Sequence, residues 1–423
     1  MRKLAYRLSF VLVLALLLPA LALPAYADCG AGTPGDDLIN CDDDPDGVNA
    51  LTGSDTVNVL PGAAVGGTIG TLDGGDRITN DGTISVNGSP TSGVGTLGDN
   101  TTVTNNGTIN AQGNPAFGVV TMGNNNTVTN NGVINVPASD GVGVWSVGNN
   151  NTVTNNGAVS ATGSDAEGIY TQGNNTVVNN GNITTTGFDA EGIAAYDGHN
   201  TVVNNGAINT SSADAQGIDT SQGGGDDTVI NNGSINAANA EAITTGAGND
   251  TVILGGGPVN GLIDGGADID TLGFNLEVGA EGLEAVAAQI AAANPNGGTI
   301  RINGHTYTWA NFEQLLSLLR LAAFQDGRLN ALDFAATVAL YCVPGGGVSL
   351  YAINGQGQGE WAFLASADAI QAALAAATSG GTQMPVGEGL GVSLWALYPN
   401  QLQAMGADGY LFTFSPAACD LGD

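Results

Sequence analysis

The chain has little positive charge, little histidine and few aromatic residues. Its 423 residues include 7 lysine plus arginine residues against 39 aspartate plus glutamate residues, 2 histidines and 5% aromatic residues. Nucleic acids and anionic lipid headgroups are bound mainly through clustered lysine and arginine, so a formal charge of −32 excludes both as main partners. With only His199 and His305, far apart in sequence, a histidine-based triad or zinc centre is not expected.

The first 27 residues have the pattern of a secretion signal. Basic residues at positions 2, 3 and 7 precede an apolar run over 8–18, and Ala25-Tyr-Ala27 offers small residues at the cleavage site. Removing this segment would leave four arginines against all 39 acidic residues. No later apolar stretch approaches the about 18 residues that a membrane helix needs. We therefore expect a secreted or cell-surface product that does not insert into a membrane.

The chain has four cysteines, Cys29, Cys41, Cys342 and Cys419. An even number in an exported protein suits two disulfide bonds in an oxidising compartment. Four cysteines allow three connectivities. The local choice among them pairs Cys29 with Cys41 and Cys342 with Cys419.

A sequence repeat of about 25 residues dominates the region from about residue 50 to 275. The phrase Asn-Thr-Val-Thr-Asn-Asn-Gly occurs at 126–132 and 151–157, and a close copy occurs at 175–181 and 200–206. Each period contains three short strand-like pieces between turn residues, for example 127–129, 133–136 and 142–147. This period predicts one coil of a parallel β-helix.

Aliphatic residues recur at fixed positions of the repeat, and stacked coils would place them above one another at about 4.8 Å. Three inward-facing columns are expected: Val103, Val128, Val153, Val177, Val202, Val229; Ile84, Ile109, Ile134, Val159, Ile183, Ile208, Ile235; and Val94, Val119, Val144, Ile169, Ile193, Ile218, Ile243. The Asn-Asn-Gly corners tolerate left-handed backbone, and their stacked amides predict a ladder of side-chain hydrogen bonds from coil to coil.

We predict an all-β fold built on a right-handed parallel β-helix over residues 28–276, after a signal peptide at 1–27. A helical cap is expected over 277–325, with helices at 281–293 and 311–321, because a solenoid exposes an apolar cross-section at its end. A small C-terminal α+β module is expected over 326–423. Its strand candidates are 337–343, 347–353, 360–365, 391–398 and 409–414, and its helix candidate is 367–377.

The repeat resembles the β-helical passenger repeats of autotransporter-like and other β strand repeat surface proteins, through its Asn-Thr-Val-x-Asn-x-Gly-x-Ile phrases. The resemblance covers about residues 50 to 275 and implies the fold. It leaves the activity open, since such solenoids serve as adhesins, stalks and enzyme scaffolds. The region after the repeat is too short for the translocator barrel of an autotransporter, so self-translocation is not expected.

Several glycine-aspartate turns are similar to the calcium-binding nonapeptides of repeats-in-toxin proteins. The best copies contain Asp227, Asp250, Asp268 and Asp270, and a weaker pair contains Asp37 and Asp55 at the family's spacing of 18 residues. The resemblance implies Ca²⁺ as a cofactor, held by aspartate and backbone oxygens. The alternative is that these residues are coil corners with aspartate in place of asparagine.

An acidic column suggests a second kind of site. Asp165, Glu167, Asp189 and Glu191 belong to two copies of Asp-Ala-Glu-Gly-Ile, so their carboxylates are expected on neighbouring coils. Such a column fits a cation site, the acid pair of a glycoside hydrolase, or solvated corner residues. Trp145 and Tyr170, in one column, could stack on a sugar ring.

These features together favour a secreted or cell-surface β-helix of structural or adhesive function, stabilised by calcium, and not an enzyme. Expected partners are an extracellular glycan, a matrix or envelope component, or further copies of the chain. The alternative is a polysaccharide-degrading enzyme centred on the acidic column.

Overall fold

The structure, a computed structural model, describes residues 29, 32–50, 52–278, 286, 288–317, 320–321, 338–343, 347–353, 359–376, 384–389, 392–398, 401–406 and 411–414. The chain is 54% strand and 5% helix, and forms a parallel β-solenoid of about 9 turns spaced by about 25 residues. The predicted all-β solenoid is therefore confirmed. The chain divides into two compact units, one made of residues up to 252 with 257–270 and 306–312, the other made of the rest.

The first stack of strands in the solenoid pairs in parallel, each strand with its equivalent one coil on. In this stack, residues alternate between half-exposed and buried along most strands, so Val and Asn side chains enter the core. Its members are β1 (Leu38–Cys41), β3 (Thr56–Val59), β6 (Arg77–Asn80), β9 (Thr102–Asn105), β12 (Thr127–Asn130), β15 (Thr152–Asn155), β18 (Thr176–Asn179), β21 (Thr201–Asn204), β24 (Thr228–Asn231) and β26 (Thr251–Leu254).

The second and third stacks belong to one continuous sheet that bends at the corner between them. The second stack contains β4 (Ala64–Val65), β7 (Thr83–Val86), β10 (Thr108–Ala111), β13 (Val133–Val136), β16 (Ala158–Ala161), β19 (Asn182–Thr185) and β22 (Ala207–Thr210). The third contains β2 (Val48–Ala50), β5 (Ile69–Thr71), β8 (Thr91–Leu97), β11 (Ala116–Met122), β14 (Val142–Val147), β17 (Glu167–Gln172), β20 (Ile193–Tyr196) and β23 (Ile218–Asp219). β25 (Ser234–Ala247) and β27 (Val259–Ala267) run through both stacks, and β31 (His305–Ala310) pairs with β27.

Strand register confirms the three aliphatic columns. Val128 pairs with Val153, Ile109 with Ile134, and Val144 with Ile169, each one coil apart. The residues of these columns are at most 2% exposed. Burying each aliphatic side chain contributes about 1.5–3 kcal/mol, so the repeated columns are a large favourable contribution to folding of the solenoid.

The second unit contains the region that follows the solenoid repeats. β28 (Thr271–Phe274) pairs in parallel with β32 (Gln314–Ser317), and β29 (Glu277–Val278) with β33 (Arg320–Leu321). The same region contains β30 (Gly297–Ile302), β31 and a helical segment at 288–292, which lies within the helix predicted over 281–293. Residues 281–285 and 287 of that predicted helix lie outside the described residues. The predicted helix over 311–321 is wrong, because Gln314–Ser317 extends the parallel pairing by one strand.

The C-terminal part of this unit has two antiparallel sheets. The first contains β34 (Val338–Val343), β35 (Gly347–Ile353) and β36 (Gly359–Ala365), and helix α1 (Ala367–Ala376) follows it. The second contains β37 (Met384–Gly389), β38 (Val392–Tyr398), β39 (Gln401–Gly406) and β40 (Leu411–Phe414). The five predicted strands and the helix are confirmed, and two further strands are added. Among the described residues, no helix has the length and hydropathy to cross a bilayer.

Candidate functional site

A polar column runs through the interior of the solenoid, at the residue just before each first-stack strand and before β28. In this interior Asx column, the backbone N–H of most members donates to the side-chain oxygen of the member one coil on, at 2.6–3.2 Å. All but Asp37 are buried. Its members are Asp37, Asp55, Asp76, Thr101, Asn126, Asn151, Asn175, Asn200, Asp227, Asp250 and Asp270.

Three of the four best calcium-ligand candidates belong to this column. Asp227 accepts the N–H of Asn200 at 2.6 Å, and Asp250 and Asp270 continue the ladder at 2.7 and 2.8 Å. Asp268 lies instead on an exposed turn with a φ of 88°. Among the described residues, no group of three carboxylates within ligand distance includes any of the four. Calcium binding here stays a prediction, and the geometry accounts for Asp227, Asp250 and Asp270 as counterparts of the asparagines.

Asp227 places an ionisable carboxyl group where the preceding coils have the neutral amide of an asparagine. Burial raises the pKa of Asp227 to about 7, with a further rise from the charge of Asp250. The N–H of Asn200 and the hydroxyl of Thr220 act in the opposite direction. Burial likewise raises the pKa of Asp250. The charged form of this end of the column is thus disfavoured by the fold.

We expect the solenoid, in buffer with a calcium chelator, to be more stable at pH 5 than at pH 8. The folded protein holds a proton on Asp227 that the unfolded chain has lost, so stability falls as pH rises from about 4 to about 7. Each unit of pKa shift corresponds to about 1.4 kcal/mol. Asp227→Asn should therefore raise the unfolding free energy at pH 8 by about 2 kcal/mol and weaken the pH dependence, as urea denaturation at both pH values will measure.

Asp268→Asn is the control for this prediction. It removes the same charge from an exposed position in the same region, where solvent screens the interaction. Its pH dependence should match that of the unaltered chain. Equal stability of Asp227→Asn and Asp268→Asn at pH 8 would contradict the argument.

A cluster of three carboxylates lies near the first coils. One oxygen from each of Asp55, Asp73 and Asp76 lies within 4.8 Å of the other two. Asp55 and Asp76 are successive members of the interior Asx column, and Asp73 lies in the turn before Asp76. Sequence reasoning named Asp55 and paired it with Asp37, whose N–H does donate to Asp55 at 2.9 Å. Asp73 and Asp76 were not predicted as ligands, although Asp73 follows Asp55 by the same 18 residues and Asp76 follows it by 21.

The structure divides the acidic column into two kinds of residue. Asp165 and Asp189 have φ values of 52° and 54° and form the turns of successive coils, in line with the corner interpretation. Glu167 and Glu191 are instead buried, at 1% and 2% exposure. Their coils are adjacent, since the N–H of Gly168 donates to the carbonyl of Glu191 at 3.0 Å. The interpretation as solvated corner residues is therefore wrong for both glutamates.

An aromatic cluster lies beside these glutamates. Phe117, Trp145, Tyr170 and Tyr196 occupy successive coils with ring centroids 5.0–6.0 Å apart, and all four are buried. Trp145 and Tyr170 are thus members of a packed cluster. The hydroxyl of Tyr196 donates to Asp219 at 2.6 Å. Burial raises the pKa of Tyr196, and the charges of Asp219, Glu191 and Glu167 add to the rise. Val142, which packs in the same cluster, pairs with Glu167 one coil on.

Cys29 and Cys41 are neighbours in the structure. Both are buried and both are free thiols. Burial raises the pKa of Cys29, and contacts with the thiol of Cys41 and the carboxylate of Asp44 raise it further. The bond between Cys29 and Cys41 is not formed here, so that pairing stays a prediction. The other pairing involves Cys419, which lies outside the described residues.

Two asparagine ladders run along the corner between the first and second stacks. In the buried ladder, Nδ2 of each residue donates to Oδ1 of the next at 2.7–2.8 Å: Asn80, Asn105, Asn130, Asn155, Asn179, Asn204 and Asn231. The exposed ladder runs in the opposite direction at similar distances: Asp81, Asn106, Asn131, Asn156, Asn180, Asn205 and Asn232. The predicted coil-to-coil amide ladder is confirmed.

Comparisons with known proteins do not assign the chain to a family. No protein-family model, no curated protein and no solved structure matches the chain.

Proposed function

We propose that the chain is an exported structural or adhesive protein whose solenoid is a rigid support. The continuous side-chain ladders carry this proposal. The interior Asx column and the buried asparagine ladder use polar residues that recur in each coil to hold the next coil. A catalytic site would need its polar groups to be available for a substrate, whereas the amides of the buried asparagine ladder bond one another from coil to coil.

The exposed asparagine ladder is the surface best suited to a partner. From Asn131 to Asn232, this ladder and the adjoining glycines line an open groove of about 770 Å³ that follows the coils. A side-chain amide has two N–H donors and two acceptor lone pairs, so each residue keeps hydrogen-bonding capacity after joining the ladder. Regularly spaced neutral amides match the hydroxyl groups of a glycan polymer. An extracellular or envelope polysaccharide is therefore the proposed partner class.

The test combines binding and hydrolysis on the purified protein. We expect sedimentation with insoluble cell-wall or matrix polysaccharides and no release of reducing ends. The triple substitution Asn156→Ala, Asn180→Ala and Asn205→Ala should weaken binding about tenfold, since each lost hydrogen bond contributes about 0.5–1.5 kcal/mol. The control substitutes Asn110 and Asn135, which form a similar side-chain bond in the second stack, and should bind as the parent does.

The second candidate is a glycoside hydrolase, favoured by one observation. Glu167 and Glu191 lie on adjacent coils beside the aromatic cluster, and a pair of carboxylates about 5–10 Å apart is what glycoside hydrolysis requires. Release of reducing ends that is lost in Glu167→Gln or Glu191→Gln would support this candidate. The same result would overturn the proposal that the solenoid is a structural support without catalytic activity.

A further inference from the structure

The carboxylates of Asp55, Asp73 and Asp76 are each held by a backbone N–H from a neighbouring coil. Asp37 donates to Oδ1 of Asp55 at 2.9 Å, Gly53 to Oδ2 of Asp73 at 2.8 Å, and Asp55 to Oδ1 of Asp76 at 2.9 Å. The second oxygen of each carboxylate is buried and has no hydrogen-bond partner. These are Oδ2 of Asp55, Oδ1 of Asp73 and Oδ2 of Asp76.

The cluster has no compensating positive charge in the described part of the chain. Asp55 and Asp76 are 1% and 2% exposed, so solvent does not screen them. Arg77 follows Asp76 directly but occupies an exposed position of β6, where alternation points its side chain away from the core. Burial raises the pKa of Asp76, the N–H of Asp55 and the hydroxyl of Thr71 act in the opposite direction, and the charges of Asp55 and Asp73 raise it again. Buried carboxylates at this separation are unfavourable unless a cation lies among them.

The distances match those of ligands around one calcium ion. Ca²⁺ binds oxygen at about 2.3–2.6 Å, so two of its ligands can be at most about 5 Å apart. The three carboxylates meet this limit at 4.8 Å. The donor set is all oxygen, which favours a hard cation over zinc or copper. We propose that Asp55, Asp73 and Asp76 bind a divalent cation, Ca²⁺, between the first coils of the solenoid.

Such an ion would join two successive turns of the chain. Asp55 precedes β3 and Asp76 precedes β6, and these strands pair in parallel with Thr56 opposite Arg77. The ion would hold the turns that lead into both strands. The site does not depend on the proposed function and is separate from Asp227, Asp250 and Asp270.

Calcium titration of the demetallated protein tests the site. Calorimetry should show one equivalent of Ca²⁺ lost in Asp73→Asn and in Asp76→Asn, relative to the parent protein. Asp99→Asn is the control, because it removes an exposed carboxylate from the turn one coil further on. Asp250→Asn tests separately whether the far end of the interior Asx column binds Ca²⁺. Magnesium in place of calcium shows whether the site requires the larger ion.

Thermal unfolding gives a second readout, which does not depend on the variants binding calcium. In buffer with a calcium chelator, Asp73→Asn should unfold at a higher temperature than the parent protein, since one of the three carboxylates that repel one another has been removed. In millimolar Ca²⁺ the order should reverse, because only the parent gains from binding. Equal calcium stoichiometry in the parent, Asp73→Asn and Asp76→Asn would overturn the proposal, as would calcium binding that is lost only in Asp250→Asn.

Discussion

Gly157→Ala is expected to destabilise the solenoid by about 3 kcal/mol or more, through a clash between coils. A Cβ at Gly157 would lie 2.0 Å from the carbonyl oxygen of Gly132. That oxygen accepts the N–H of Ala158 at 2.9 Å, so it cannot move without breaking a bond between coils. The same carbonyl contact recurs at Gly107, Gly132, Gly181 and Gly206, with distances of 1.9–2.0 Å. The corner glycine is therefore required for close approach of consecutive coils.

Urea and thermal denaturation followed by circular dichroism will measure this effect. Midpoints should be compared, because a repeat structure can unfold coil by coil and depart from two-state behaviour. Gly88→Ala is the matched control. A Cβ there would have its nearest neighbour at 3.7 Å, in Thr91, and its φ is not left-handed. Its midpoint should stay close to that of the parent, and a comparable loss in both variants would refute the clash argument.

Most of the solenoid was predictable because the repeat presents the same evidence many times. The strand piece expected over 133–136 is observed as Val133–Val136, and the one over 142–147 as Val142–Val147. Aligning equivalent positions separates the inward valines and isoleucines from variable outward residues. Residues one repeat apart in the sequence are then neighbours in the structure, since each coil pairs in register with the next.

The region after the repeats was harder to predict because it has a single copy of each element. Residues 311–321 contain leucine, glutamate and glutamine, all good helix formers. Gln314–Ser317 nevertheless forms a strand against Thr271–Phe274. Pairing with an open strand edge outweighs a local preference of a few tenths of a kcal/mol per residue. Only the tertiary structure reveals that this edge is available.

The candidate sites were partly predictable for a related reason. The spacing of 18 residues between Asp37 and Asp55 does place them on successive coils. The coils then lengthen, so a fixed spacing no longer finds Asp76. Burial of Glu167 was not predicted because the alternation of buried and exposed residues breaks at this point. Glu167 and Ile169 are both buried, and Gly168 between them packs so closely on Ile183 that a Cβ there would meet its side chain.

The buried asparagine ladder gives the second large prediction. Asn155→Asp should destabilise the protein by about 3 kcal/mol at pH 8, because a near-isosteric change removes a donor and adds a buried charge. Asn155 accepts from Nδ2 of Asn130 at 2.8 Å and donates to Oδ1 of Asn179 at 2.8 Å. A carboxylate can accept the first bond but cannot donate the second, so two oxygens would face each other in the core.

The loss should depend on pH in a defined direction. Burial raises the pKa of the introduced carboxyl above its value in the unfolded chain, so the folded state retains the proton longer. At about pH 4 the neutral carboxyl can donate to Oδ1 of Asn179, and most of the lost stability should return. The difference from the parent protein should then grow as the pH rises toward 8. Urea denaturation across this range measures it.

Asn156→Asp separates the ladder effect from simple addition of negative charge. Asn156 is the next residue, and its Nδ2 donates to Asn131 at 2.8 Å in the exposed ladder. Water can replace that bond and screen the new charge, so we expect a loss below about 1 kcal/mol with little pH dependence. If the two aspartate variants unfolded at the same denaturant concentration, the buried amides would not be what joins the coils. A large difference would place the stabilising bonds inside the corner, where each asparagine depends on the one before it and the one after it.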